Sequence, residues 1–137
     1  MSGTKDAGKI ILKIKRMNAQ QLKPLVDFLE KVPGVRVLNF GTEDEFWWVK
    51  LAIDIEHPLA WSVVQEFGHV LNYISTEERL PTLFYPVSPP PYLNGGPAEF
   101  LSWIIENTDV SFTPSLAKEW LEGRLPSPVD VLSAWEV

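Results

Sequence analysis

A chain of 137 residues, 45% hydrophobic and 22% charged, is long enough to bury one core and too apolar to be disordered. It has 0 Cys, which excludes disulfides and thiolate metal sites and suits a reducing compartment. Its net charge of −6 is uneven: Met1 to Arg36 carries eight basic and three acidic residues, a net of +5, while Val37 to Val137 carries four and fifteen, a net of −11. An acidic field of that size attracts basic partners and repels phosphate backbones, though it also serves solubility.

The first residues, Met1 to Asp6, lack the basic-then-apolar pattern of a secretion signal, and no apolar run approaches the roughly 20 residues that span a bilayer. A cytoplasmic protein without membrane contact is expected. Residues 1–137 read as a single α+β domain.

In chain order, Lys9 to Arg16 alternates, with Ile10, Leu12 and Ile14 on one side, which predicts a half-buried strand. Asn18 followed by Gln21 is a helix-opening pair, and Leu22, Leu25, Val26, Leu29 and Val32 follow at helical spacing until Pro33-Gly34. Pro24 inside that run predicts a kink or a later start. Val35 to Phe40 predicts a strand, Gly41-Thr42-Glu43-Asp44-Glu45 a polar hairpin loop, and Phe46 to Ile55 a further strand. In that strand Trp47, Val49, Leu51, Ile53 and Ile55 share one face. His57-Pro58 is expected to open a second helix with the stripe Leu59, Val63, Phe67, Val70 and Leu71. Another strand is expected at Tyr73-Ile74 or within Leu83 to Val87.

This β-α-β-β-α-β order predicts a ferredoxin-like antiparallel sheet with helices on one face. Two additional C-terminal helices are expected to cover a sheet edge or part of the free face. One starts at Pro97 and buries Phe100, Leu101, Ile104 and Ile105. The other is capped by Thr113, has Pro114 at its first position, and buries Leu116, Trp120 and Leu121 before Gly123.

Little in the chain carries chemistry. His57 and His69 stand about three helical turns apart, too far to share a metal. No serine sits in a nucleophile-elbow pattern. Asn94-Gly95-Gly96-Pro97 lacks the lysine and spacing of a phosphate loop and reads as a turn. No cofactor or metal is implied. The carboxylates Glu43, Asp44, Glu45, Glu77 and Glu78 fall in expected loops, as solvated turn charges or as partner contacts. Trp47 and Trp48, adjacent on a strand, must face opposite sides. Trp48 then packs under the C-terminal helices or anchors a protein interface. With no RNA-binding motif and the wrong charge, it is not expected to stack nucleic-acid bases. Pro89-Pro90-Pro91-Tyr92 matches a WW-domain ligand but is better explained as a polyproline connector.

The stretch Leu80 to Gly96, with Phe100-Leu101-Ser102-Trp103-Ile104-Ile105-Glu106 and Trp120 to Pro126, resembles immunity proteins of bacterial contact-dependent growth inhibition systems. The resemblance covers about the last 60 residues. It implies a cytoplasmic, non-enzymatic inhibitor that binds a toxin domain, often a nuclease, and blocks its active site or a nearby surface. Such proteins share no positional signature, so the resemblance assigns no residue. Acidity suits a basic nuclease cleft. On the residues alone, a carboxylate-dependent enzyme and a self-associating or regulatory sheet domain stay open.

Overall fold

The computed structural model describes residues 18–72, 80–87 and 102–136. The expected strand at Lys9 to Arg16, Tyr73-Ile74, Glu77, Glu78, the Pro89 to Tyr92 run and the Asn94 to Pro97 turn lie outside them.

The Asn18–Gln21 pair works as expected: Gln20 N–H donates to Asn18 Oδ1 at 2.9 Å and Asn18 N–H to Gln21 Oε1 at 2.8 Å. They start a 3-10 turn, Ala19–Leu22, and α1, Lys23–Leu29, follows as the later start that Pro24 demanded. Pro24 lies in the first turn, where a helix needs no N–H donor. Leu22, Leu25, Phe28, Leu29 and Val32 are buried. Gly34, at φ +76°, supplies the left-handed residue that turns the chain into β1.

β1, Val35–Glu43, and β2, Phe46–Ile53, form an antiparallel hairpin with a bulge between Val37 and Asn39. The loop is shorter than the sequence suggests. Gly41, Thr42 and Glu43 stay in the strand, opposite Trp48, Trp47 and Phe46, and only Asp44-Glu45 turn. Asp44 takes φ +57°, a conformation that Asp tolerates better than most residues. Ile55, expected on the core face of β2, lies beyond the strand and is exposed. His57-Pro58 forms a turn rather than a helix start: Leu59 N–H donates to His57 Nδ1 at 3.0 Å, and α2, Ala60–Leu71, begins one residue later.

With β3, Thr82–Val87, and β4, Ser102–Asn107, the described residues form a four-stranded antiparallel sheet in the order β1-β2-β4-β3. The helix expected to bury Ile104 and Ile105 is replaced there by β4. Ile105 is fully buried while Ile104 is on the other face, the period-2 pattern of a strand. Short apolar runs fit both periods, and β-branched Ile104-Ile105 beside Trp103 favours the sheet. β4 pairs with both β2 and β3. It thereby occupies the place that a ferredoxin-like order would assign to the strand at Ile10 to Ile14.

α3, Pro114–Arg124, is capped as expected, with Leu116 N–H on Thr113 Oγ1 at 3.2 Å. It buries Pro114, Ala117 and Leu121. Leu116 is exposed and Trp120 half-buried, and the helix runs through Gly123. The three described helices share one core with Trp47, Val49, Leu51, Ile53, Phe84 and Ile105 of the sheet. Phe67 meets Phe84 edge-on at 5.5 Å, and Phe84 stacks on Trp103 at 4.7 Å. Trp47, not Trp48, packs under the C-terminal segment: its Nε1 donates to the Phe112 carbonyl at 2.8 Å.

Candidate functional site

Alternation along each strand sends one side-chain set into the core and the other to the opposite face. No described helix covers that opposite face. The register builds it row by row. Glu43 pairs with Phe46; Gly41, Trp48, Glu106 and Leu83 form the next row; Asn39, Lys50, Ile104 and Tyr85 the one after; Arg36, Ala52, Ser102 and Val87 the last. Phe46, Leu83 and Tyr85 are exposed and Trp48, Ile104 and Glu106 half-buried. The result is an aromatic and apolar strip with acid at the hairpin end and the bases Lys50 and Arg36 at the other.

Trp48 is fixed by its neighbour. Its indole lies across Gly41, where a Cβ would come within 2.9 Å of Cζ2. A glycine in a strand loses packing, and a cross-strand aromatic restores it. On its other side Trp48 is paired with Glu106. Trp47 N–H points toward β4, where it donates to Asn107 Oδ1 at 2.8 Å. Trp48 N–H therefore points toward β1, and Trp48–Glu106 is a non-hydrogen-bonded pair, the kind that brings side chains closest. The Tyr85 hydroxyl donates to the Glu106 carboxylate. The Tyr85 phenol is held above its usual pKa, first by partial burial, then by the Glu106 charge and that hydrogen bond.

The edges of the sheet are less available than its face. At β3 the Asn72 side chain imitates a neighbouring strand: its Nδ2 donates to the Phe84 carbonyl at 2.7 Å and its Oδ1 accepts the Phe84 N–H at 2.6 Å. Pro86, two residues on, has no N–H to offer. At β1 the Val37 N–H is taken by Glu30 Oε1 at 2.9 Å and the Phe40 N–H by Asn39 Oδ1 at 2.9 Å. Such blocked edges disfavour strand addition.

Of the residues singled out from sequence, the structure brings Glu43 and Trp48 onto one face and places Asp44 and Glu45 at its rim; Glu77 and Glu78 lie outside the described residues. Glu43 and Asp44 are exposed and Glu45 is half-buried. Phe46, Leu83, Tyr85, Ile104 and Glu106 were missed as site residues. Their signal is the shared alternation of β2, β3 and β4, which a helical reading of Ile104-Ile105 conceals.

A cleft of roughly 450 Å³ lies elsewhere, between α1, α3 and Leu125 to Asp130. Two of its carboxylates are already paired along their own helices, Asp27 with Lys23 at 3.1 Å and Glu122 with Lys118 at 2.7 Å. Among the described residues no three His, Asp or Glu side chains come together to hold a metal. His57 serves its turn through Nδ1, and His69 is exposed on α2. No protein-family model, curated protein or solved structure matches the chain.

Proposed function

We propose that this chain is an immunity protein that neutralises a basic toxin domain by docking the open face of its sheet, with Trp48 at the centre and the Glu43-Asp44-Glu45 tip at the rim. The observation that carries the reading is the row Gly41-Trp48-Glu106-Leu83, an aromatic packed over a glycine and beside a carboxylate on a face that no described helix covers. Interfaces concentrate their energy in such aromatic anchors, and acidic rims speed encounter with a basic partner. The net charge of −6 adds the long-range attraction that a nuclease cleft would feel. Binding over the cleft would exclude nucleic acid, which makes inhibition a matter of occupancy and requires no catalytic group on this chain.

The test is a pull-down from the native organism, followed by co-expression of this chain with a toxin domain so captured. Growth restored by the wild type and not by Trp48→Ala, with a stoichiometric complex, supports the reading. A chain that neither restores growth nor enters a complex with that domain overturns it.

A second reading, self-association through the same face, is favoured by one observation: acid stands at one end of the strip and Lys50 and Arg36 at the other. A two-fold axis through the middle would set each end against its opposite. Sedimentation as a monomer at high concentration would exclude it.

A further inference from the structure

The reading of the open face as the binding surface leaves its chemical preference undefined, and the inference here rests on that reading. We infer that the Trp48–Glu106 pair receives an arginine side chain of the partner, with the guanidinium laid on the indole and donating to the Glu106 carboxylate.

Four observations converge on a guanidinium. The two side chains form a non-hydrogen-bonded cross-strand pair, which sets their Cβ atoms about 4.5–5.5 Å apart. A group that stacks on the ring is then within reach of the acid. Glu106 accepts one hydrogen bond, from the Tyr85 hydroxyl, and among the described residues no Lys, Arg or His lies within 4.0 Å of it. A carboxylate has about four acceptor positions, so one hydrogen bond leaves capacity for a partner's donors. The indole is braced from below by Gly41, so it costs little further ordering when a partner arrives. The chain also contains the same stacking elsewhere: the Arg124 guanidinium sits 3.5 Å from the centre of the Trp120 ring on α3.

Arginine fits better than lysine. Its planar fork stacks and donates sideways at once, whereas an ammonium is a compact, strongly hydrated point charge. Lys50 narrows the position further. It occupies the next row, between Asn39 and Ile104, and repels any cation displaced from Trp48 in that direction. Phe46 and Glu43 bound the other side with an apolar ring and a second carboxylate.

The experiment uses the full chain and three capped tripeptides, Gly-Arg-Gly, Gly-Lys-Gly and Gly-citrulline-Gly, titrated while the backbone and indole N–H resonances are followed. Trp48→Phe identifies the Trp48 signal. The arginine peptide is expected to shift the Trp48 indole and the Gly41 amide saturably. The lysine peptide should bind several-fold more weakly, and uncharged citrulline should leave both signals in place. Glu106→Gln should weaken the arginine response about tenfold, since a charge-assisted bidentate bond becomes a neutral one. Glu106→Asp, which keeps the charge, serves if the Gln variant fails to fold, and it should retain a saturable shift. No saturable shift at Trp48, an equal response to citrulline, or an arginine response indifferent to Glu106→Gln would each overturn the inference. The titration needs no toxin, so protection of cells without a peptide response would discard the arginine site and leave the immunity reading standing. A peptide response without protection would do the reverse.

Discussion

Gly41 and Trp48 face each other across β1 and β2, and the indole fills the space where a side chain of residue 41 would be. A Cβ there would lie 2.9 Å from Cζ2 and 3.2 Å from Cε2 of the ring. Gly41 does not adopt a left-handed conformation, so alanine is excluded by the ring and not by the backbone. In Gly41→Ala the indole must move, at a cost of about 1–2 kcal/mol for an overpacked contact. In the Trp48→Ala background the same substitution should stabilise the fold by about 0.5 kcal/mol, because alanine restricts the unfolded chain. The predicted sign reversal is measured by a denaturant double-mutant cycle. Equal effects in both backgrounds would mean that the two residues do not touch in solution.

Asn107 clips the end of the sheet to the segment that enters α3. Its Oδ1 accepts the Trp47 N–H at 2.8 Å, and its Nδ2 donates to the Asp109 carbonyl at 3.0 Å and, more weakly, to that of Phe112 at 3.4 Å. Asn107 is 4% exposed. Asn107→Ala strands a buried N–H and opens a void, for an expected loss of about 2–4 kcal/mol in urea unfolding. Amide exchange should accelerate first at Trp47. A loss below about 0.5 kcal/mol would show that water replaces the side chain there.

Asn72 guards the β3 edge by occupying both backbone groups of Phe84. Asn72→Ala removes two hydrogen bonds and frees an edge, so it is expected to cost about 1–2 kcal/mol and to promote concentration-dependent association. Light scattering across a concentration series checks the second effect. A monodisperse variant at high concentration would place the edge protection elsewhere, in Pro86 for instance.

Tyr85 provides a pH signature of the face that no described helix covers. Burial, the Glu106 charge and the Tyr85–Glu106 hydrogen bond all favour the neutral phenol, so its folded pKa lies above the ordinary 10.0. Below pH 10 both folded and unfolded chains hold the proton, and the stabilisation is fully present. As pH rises past 10 the unfolded phenol ionises first, and the stabilisation is lost as pH passes through the folded value. Tyr85 is 37% exposed, so solvent screening keeps the effect on stability small, and titration is the better measurement. The phenolate absorbance difference between wild type and Tyr85→Phe should titrate above 10.0, and Glu106→Gln should bring it down.

The parts of the fold that local chemistry determines are legible in the sequence. The Asn18–Gln21 cap, the late start that Pro24 imposes, the Gly34 turn, the opposed Trp47 and Trp48, and the Thr113-Pro114 cap all rest on interactions within a few residues. The parts that depend on distant pairing are not. Whether Ser102–Asn107 is helix or strand is decided by β2 and β3, each more than a dozen residues away along the chain. Gly41 reads as a loop residue until Trp48 is seen to cover it. The candidate site inherits this split: Trp48 and the acidic tip are visible in sequence, while Glu106, Tyr85 and Leu83 join them only through β4.

The acidic tip can be tested without damaging the turn if Asp44 is treated separately. At φ +57° a lysine is strained by about 1–2 kcal/mol, whereas asparagine adopts the conformation readily. The informative variant is therefore Glu43→Lys with Asp44→Asn and Glu45→Lys, which reverses the charge of the tip and keeps the hairpin. If the partner is a basic toxin domain, rim carboxylates of this kind act mainly on encounter, so association should slow about tenfold at low salt. Its dependence on ionic strength should flatten, while dissociation changes little. Trp48→Ala should do the opposite: association near the wild-type rate, and dissociation faster by about 30-fold or more if the ring carries the energy of an anchor, about 2 kcal/mol. Stopped-flow association and dissociation across a salt series separate the two. Association that ignores both salt and the charge reversal would assign the tip to solubility, and an unchanged off-rate in Trp48→Ala would move the interface off the open face.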